Sequence, residues 1–273
     1  MAIDYFFETD TLSLLQTLEG GQAFRWTHEG DIFSGWAKNR FLRVRQEENG
    51  VTLLGVEEED IPLWLSYFDA ETDYKGIIEQ FSSDETLKKA SEAGRGLRIL
   101  RQEPFETLIS FIISQNNNIT RIKGIISRLC ECFGEKCGDG YAFPTAERIA
   151  SLSEEDLAPL RAGFRNRYIL DAARKTMDKT VDLEKIYDLS YDEGKAELKK
   201  IVGVGDKVAD CILLFAYHKT EAFPVDGWIK RIVAEYYPDG LPECMGEYKG
   251  IAQQYLFEYF RTLERKENHY VVY

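Results

Sequence analysis

The chain has 273 residues, 44% of them hydrophobic and 30% charged, with a net charge of −13 at pH 7. That length supplies a real hydrophobic core for one large domain or two ordinary ones, and the balance excludes a disordered chain. No run approaches the roughly 18 uninterrupted apolar residues of a spanning helix, and the opening MAIDYFFETD lacks the basic start of a signal peptide, so a soluble cytoplasmic protein is expected.

Residues 21–56 read as a meander. QAFRW, DIFSGWA, RFLRV and VTLLGV are rich in aromatic and β-branched residues and are separated by THEG, KN and EENG, which are turn chemistries. From Pro62 onward the period turns helical, in PLWLSYFD and then DYKGIIEQF. ASEAGRGLRILRQ, with Gly94 and Gly96, marks the joint between an N-terminal antiparallel sheet domain, residues 1–100, and a helical region, residues 101–273. That region opens with PFETLISFIISQ, where Pro104 sits at a first helical position. Asn118 is placed to cap NITRIKGIISRLCECF and Gly134 to end it. SEEDLAPLR begins with the S-x-x-D of a capping box, and SYDEGKAELKKI, DKVADCILLFAYH, DGWIKRIVAEYY and GEYKGIAQQYLFEYFRTLE continue the series. The fold class is α+β, mainly α, without an internal repeat.

The acidity is uneven. Residues 46–79 hold ten acids against Lys75 alone, whereas residues 94–136 hold seven bases against four acids. The local face decides phosphate contact and total charge sets the long-range attraction, so a polyanion is expected to meet backbone amides as much as lysines. The five cysteines, an odd number in a long chain, argue against a secreted disulfide framework. Cys130, Cys132 and Cys137 lack the paired C-x-x-C spacing of a zinc ribbon, and His28, His218 and His269 are too dispersed to complete a site. The trio reads as buried free thiols.

The most informative stretch is ELKKIVGVGDKVADCILLFAYHKTEAFPVDGWIKRI, residues 197–232. A helix ends in a turn carrying Gly203 and Gly205 and a second starts at once, which gives a helix-hairpin-helix over 197–215. Such glycines permit positive φ and close backbone approach, and the amides of the following helix start converge on an anion. A plain glycine-turn hairpin accounts for GVG equally well. Lys207 lies in the first turn of the second helix, where the helix dipole disfavours its cation; burial would lower its pKa further and free a neutral amine as nucleophile. Cys211 follows four residues later on the same face. Pro224-Val225 is a rigid approach that sets Asp226 at the next helix start, where capping is the ordinary role of an aspartate.

GVGDK-VADC followed by PVD resembles the helix-hairpin-helix DNA glycosylase superfamily, with its Lys–Asp pair on two successive helices. Three further segments narrow the resemblance to the 8-oxoguanine DNA glycosylase family: GGQAFRW at 20–26 is similar to its lesion-reading strand, SQNNNITR at 114–121 to its intercalating junction and GIAQQYLF at 250–257 to its base-stacking helix. The resemblance spans nearly the whole chain, with the motifs in the expected order.

It implies a bifunctional DNA glycosylase and AP lyase acting on double-stranded DNA that holds 8-oxoguanine, preferentially opposite cytosine. Such enzymes extrude the target nucleotide into a pocket. Lys207 would be the nucleophile and Asp226 its electrostatic partner. Gln253 would bond the pairing edge of the base, with Phe257 and Cys211 against its two faces. The Gly21 carbonyl would accept the N–H that oxidation adds; undamaged guanine offers a lone pair there, a mismatch of ~1–3 kcal/mol. Asn116, Arg121 and Arg165 would fill the vacated space and bind the orphaned base, with Phe164 as the wedge that the family usually makes from tyrosine. Trp228 stands where a histidine phosphate neighbour is expected and would join Gly203 and Gly205 at the backbone with an N–H but no charge.

The same resemblance places the carbonyls of Lys199, Ile201 and Val204 for a structural cation. No cofactor is required, and with only Cys244 beyond the catalytic segment no Fe–S cluster is expected. A monomer is expected, without a membrane partner, cytoplasmic or nucleoid-associated. Taken singly, Phe257 is ordinary core, Gly21 a turn residue, and Arg121 and Arg165 solvated helix charges. Two other functions fit the hairpin: a glycosylase for another damaged base, against which Gly21, Gln253 and Phe257 argue, and a noncatalytic DNA-binding protein, which gives no reason for Lys207 and Asp226 together.

Overall fold

Strands β1 (Ala2–Glu8), β2 (Trp26–Glu29), β3 (Ile32–Ala37), β4 (Arg40–Glu47) and β5 (Gly50–Glu57) form one antiparallel sheet in the order β1-β5-β4-β3-β2. This is a computed structural model that describes residues 2–270, with side chains described up to residue 264. The meander follows its turn chemistry: Lys38 and Asn39 both take left-handed φ, 49° and 56°, between β3 and β4, which matches the twist of a two-residue hairpin. Two features differ from the sequence reading. IDYFFE pairs with β5 as an additional strand, its burial alternating along the chain. QAFRW contributes only Trp26 to the sheet, because Gln22 bonds the segment before residue 103 and only the Arg25 carbonyl, which accepts from the Trp36 N–H, reaches β3.

The sheet closes over Trp64, Tyr67 and Phe68, in or just after α2 (Ile61–Tyr67), with Trp26, Phe33, Leu42, Val44, Val51 and Leu53 inside. Trp26 Nε1 donates to Tyr67 Oη at 2.9 Å, which satisfies the one polar atom of a fully buried indole. The short α1 (Leu14–Leu18) joins this core, whereas α3 (Tyr74–Phe81) and α4 (Glu85–Ala93) bury Tyr74, Ile77, Phe81, Leu87 and Ala90 in the helical one.

At the centre of the helical core lies α5 (Pro104–Ser114), nine of whose 11 residues are buried, which explains its continuous apolar body. Around it come α6 (Ile119–Phe133), a two-stranded ribbon β6 (Lys136–Cys137) and β7 (Gly140–Tyr141), α7 (Ala146–Ala150), α8 (Arg165–Met177), α9 (Tyr191–Leu198), α10 (Asp206–Tyr217), α11 (Gly227–Tyr236) and α12 (Lys249–Tyr270). Asn118 caps α6 and Gly134 ends it. The S-x-x-D box also forms, with Ser153 and Asp156 bonding reciprocally, but Pro159 cannot donate to a helical ladder and the segment runs as turns and a single 3-10 turn. Among the described residues no helix is long and apolar enough to cross a membrane.

Two expectations about side chains are corrected. Of the cysteine trio only Cys130 is buried; Cys132 is exposed and Cys137 half-buried. The bases of 94–136 are mostly internal fastenings. Arg98, 3% exposed, donates to the carbonyls of Thr11 and Asp69 and to the hydroxyls of Thr9 and Thr11. Arg95 pairs with Asp10, Arg101 with Asp69 and Lys123 with Glu19, while Arg128 donates to the Leu160 carbonyl. Asp69 gathers His218, Tyr74, Arg101 and Thr72 around one buried carboxylate and so ties the sheet side to the end of α10.

Candidate active site

The helices that bear or follow Lys207 and Asp226 begin in the same way. Gly205 precedes α10 and Asp226 precedes α11, each with φ −97° and ψ −174°. Gly203 alone of the two hairpin glycines takes positive φ, +86°; Gly205 is extended and so keeps close approach as its only reason to lack a side chain. Asp226 is the N-cap, its Oδ1 accepting from the Ile229 N–H at 2.8 Å, and it also lines the cleft. Capping engages one carboxylate oxygen and fixes the direction of the other.

These starts face a cleft of about 790 Å³, within the size range of small-molecule sites. Gly20, Gly21 and Phe24 form one wall, Ser114 to Asn117 a second, Gly205 to Val208 and Cys211 with Pro224 and Asp226 to Trp228 a third, and Gln253, Gln254 and Phe257 a fourth. Lys207 Nζ lies 5.4 Å from the centroid of Phe111, whose ring stacks on Phe215 at 5.3 Å. Cys211, next to Lys207, has its thiol pushed up by burial and partly drawn back by the lysine charge and hydrogen bond. On α12, Gln253 and Gln254 are 3% and 7% exposed, and Gln254 Nε2 donates to Gln253 Oε1 at 2.7 Å.

Nine of the residues singled out in the sequence therefore share one cavity: Gly21, Asn116, Gly205, Lys207, Cys211, Asp226, Trp228, Gln253 and Phe257. Gly203, Arg121, Phe164 and Arg165 lie outside its lining. Phe164 stands 47% exposed, its ring edge-on to Tyr168 at 5.7 Å and under the guanidinium of its neighbour, 4.5 Å from the centroid. That neighbour, Arg165, is 2% exposed and spends its guanidinium on the carbonyls of Gln115, Asn116 and Ala162, bracing the junction where Asn116 takes φ +46°. Arg121 is exposed and reaches the Arg161 carbonyl at 3.3 Å. Trp228 carries no charge, but Arg231, one turn on, stacks its guanidinium 4.6 Å from the indole and returns a cation to that rim.

Sequence reading passed over Phe24, Phe111 and Phe215, whose apolar surroundings gave no sign of a cleft, and Gln254, whose signal was the second glutamine of GIAQQYLF. At the hairpin, the Ile201 carbonyl accepts from Val204 N–H at 3.1 Å and Lys175 Nζ donates to the Lys200 carbonyl at 2.7 Å. No group of His, Cys, Asp and Glu able to hold a metal occurs among the described residues, and the side chain of His269 lies outside them.

The hairpin, Lys207 and Asp226 define the class, and residues 109–240 match the model of the HhH-GPD superfamily of base excision DNA repair proteins. Residues 5–108 match the 8-oxoguanine DNA glycosylase N-terminal domain. The chain belongs to the 8-oxoguanine DNA glycosylase family. It is 33% identical over 265 residues to the N-glycosylase/DNA lyase of Saccharomyces cerevisiae, an alignment covering 83% of this chain and 68% of that protein. The 8-oxoguanine glycosylase/lyase of Clostridium acetobutylicum, solved with double-stranded DNA containing cytosine opposite 8-oxoguanine, superposes with a TM-score of 0.88 at 37% identity over 97% of this chain and 100% of the other. MBOgg1, solved with a low-affinity DNA ligand, gives 0.88 at 38% over 96% and 99%. The 3-methyladenine DNA glycosylase of Archaeoglobus fulgidus shares the fold, with a TM-score of 0.74 at 18% identity over 95% and 99%.

Proposed function

We propose that this chain is a bifunctional DNA glycosylase and AP lyase that removes 8-oxoguanine paired with cytosine. The observation that carries the reading is that Gly21, Lys207, Asp226, Gln253 and Phe257, from four separate segments, line one cavity large enough for an extruded purine nucleotide. In the proposed reaction the nucleotide leaves the helix and enters the cleft. The glycosidic bond breaks with its electron pair going to the base, and the free oxygen of Asp226 steadies the positive charge on the sugar. The amine of Lys207 forms a bond to the anomeric carbon. Opening of the sugar ring gives a Schiff base, and loss of a proton from the adjacent carbon expels the 3′ phosphate by β-elimination.

Specificity is divided among the walls. The Gly21 carbonyl accepts the N–H present only in the oxidised base, Gln253 reads the pairing edge, and Phe257 and Cys211 hold the faces. Arg121 and Asn116 read the orphaned cytosine, Arg165 supporting them by holding the junction backbone, and Phe164 wedges the vacated step. Gly203 and Gly205 present amides to the phosphates, beside Trp228 and the cation that Arg231 adds. The carbonyls of Lys199, Ile201 and Val204 would hold a structural cation, the Ile201 carbonyl keeping a lone pair for it after accepting one N–H; such an ion would tie the turn together. The enzyme would work where the DNA is, in the cytoplasm, at the nucleoid in a prokaryotic cell.

Borohydride trapping on a duplex with 8-oxoguanine opposite cytosine tests this. The native chain should become covalently attached to DNA, and Lys207→Gln should bind the lesion duplex yet fail to be trapped. Trapping retained in that variant would falsify the assignment of the nucleophile.

A further inference from the structure

Gln253 and Gln254 are consecutive residues of a helix, and consecutive helical side chains do not ordinarily face one another. Here both line the cleft, both are more than nine-tenths buried, and the Gln254 amide donates to the Gln253 carbonyl oxygen at 2.7 Å. The bond leaves two polar atoms, Gln253 Nε2 and Gln254 Oε1, without a protein partner among the described residues, and neither is sealed off from solvent. A donor and an acceptor are thus held side by side at the cavity wall.

We propose that Gln254 is a specificity-determining positioning residue, fixing which end of the Gln253 amide meets the extruded base. A lone glutamine amide offers its N–H or its carbonyl according to how it turns, and so matches several edges. Once Gln254 donates to its oxygen, that freedom is lost. The pair then presents N–H beside C=O, the complement of the guanine pairing edge, where O6 accepts beside the N1–H donor. Adenine carries the reverse, an amino donor beside an acceptor nitrogen, and would face donor with donor and acceptor with acceptor. The inference rests on the reading of the cleft as a base pocket, and it assigns the choice between oxidised purines to a residue that need not itself reach the sugar.

Two substitutions separate the possibilities. Gln254→Met keeps the length and bulk of the side chain but cannot donate. Gln254→Glu can only accept, and so turns the Gln253 amide around. Single-turnover release of 8-oxoguanine and of 8-oxoadenine, each opposite cytosine, is measured together with strand cleavage at a preformed abasic site, which needs no base recognition. Cleavage at the abasic site should stay within about twofold of the native chain in both variants. Release of 8-oxoguanine should fall about tenfold in Gln254→Met and further in Gln254→Glu, as expected for one lost hydrogen bond and then a reversed one. Preference for 8-oxoguanine over 8-oxoadenine should drop in the same order. An unchanged preference in both variants overturns the proposal. So does loss of abasic cleavage in either, since Gln254 would then serve the fold or the chemistry and not the choice of base. A native chain that cleaves abasic DNA but releases no 8-oxoguanine overturns the base-pocket reading instead.

Discussion

Replacing the two hairpin glycines one at a time by alanine separates folding from DNA contact, because their environments differ. At Gly203 the backbone sits at φ +86°, and an added Cβ would come within 2.4 Å of Tyr168 Cδ2. The left-handed conformation costs an ordinary residue ~1–2 kcal/mol, and forcing a methyl into a packed ring costs ~1–3 kcal/mol more. Gly203→Ala should therefore lose about 3 kcal/mol of stability, a fall in Tm of about 10 °C. At Gly205 the backbone is extended, and an added Cβ meets nothing within 4 Å. Gly205→Ala should melt within a few degrees of the native chain, its change being within about 0.5 kcal/mol. Its methyl would nonetheless project from the very turn whose amides are to receive a phosphate, and affinity for duplex DNA should fall about tenfold, or ~1.4 kcal/mol. Thermal melts paired with anisotropy titrations on a lesion duplex measure both quantities. Native affinity in Gly205→Ala would refute the reasoning, because a backbone in contact with a phosphate has no room for that methyl.

Arg231→Gln should flatten the dependence of log affinity on log salt by about one unit, the loss of one phosphate contact; an unaltered slope would mean that the guanidinium over Trp228 does not reach the backbone. Arg121→Ala should narrow the preference for cytosine opposite the lesion, as read from excision rates against all four opposite bases, and an unchanged ranking would assign that reading elsewhere. Burial pushes the carboxyl of Asp69 up, but the bonds and charges of His218 and Arg101, with the Tyr74 hydroxyl, outweigh it and hold the group at about 2 against an ordinary 3.8. A lowered carboxyl pKa stabilises the fold above the unfolded value and is lost as pH falls through the folded one, so about 2 kcal/mol should disappear between roughly pH 4 and pH 2. Asp69→Asn should remove that part of the acid-melting curve, and a superimposable acid limb would dissociate Asp69 from it.

What could be read from the sequence had local causes. Lys207 follows a glycine turn, Asp226 follows Pro224-Val225, and Asn118 precedes a periodic helix; in each case the neighbours in the chain decide the position. The meander from Trp26 to Glu57 was legible because turn residues separate its alternating runs. What escaped depends on partners far along the chain. Gln22 looks like part of a strand, but its amide bonds the carbonyls of Thr17 and Arg98 and the N–H of Leu100, which holds the Gly21 loop against the link to α5. Arg98 and Arg165 look like surface charges and are buried, because backbone carbonyls collected by the fold satisfy their guanidinium groups. The bond from Gln254 to Gln253 was equally hidden, since adjacency on a helix argues against contact.

The same long-range fastenings account for an acidic protein that binds DNA. Of the bases that seemed to form a cationic stretch, Arg95, Arg101 and Lys123 are paired with acids and Arg98 and Arg128 with carbonyls, so these add little attraction at the surface. None of the ten acids of residues 46–79 lines the cleft, so repulsion is not concentrated where the base enters. With a net charge of −13 the long-range field opposes encounter, and contacts made only at short range must supply more of the affinity. In the proposed complex the amides at the hairpin, the cations Arg121 and Arg231, and the enclosed base would be such contacts. On the proposed reading undamaged duplex should be held weakly and most of the binding gained when a nucleotide enters the cleft, so the fastening around Gly21, by Gln22 on one side and the bond from Lys123 to the Trp26 carbonyl on the other, would bear directly on finding the lesion.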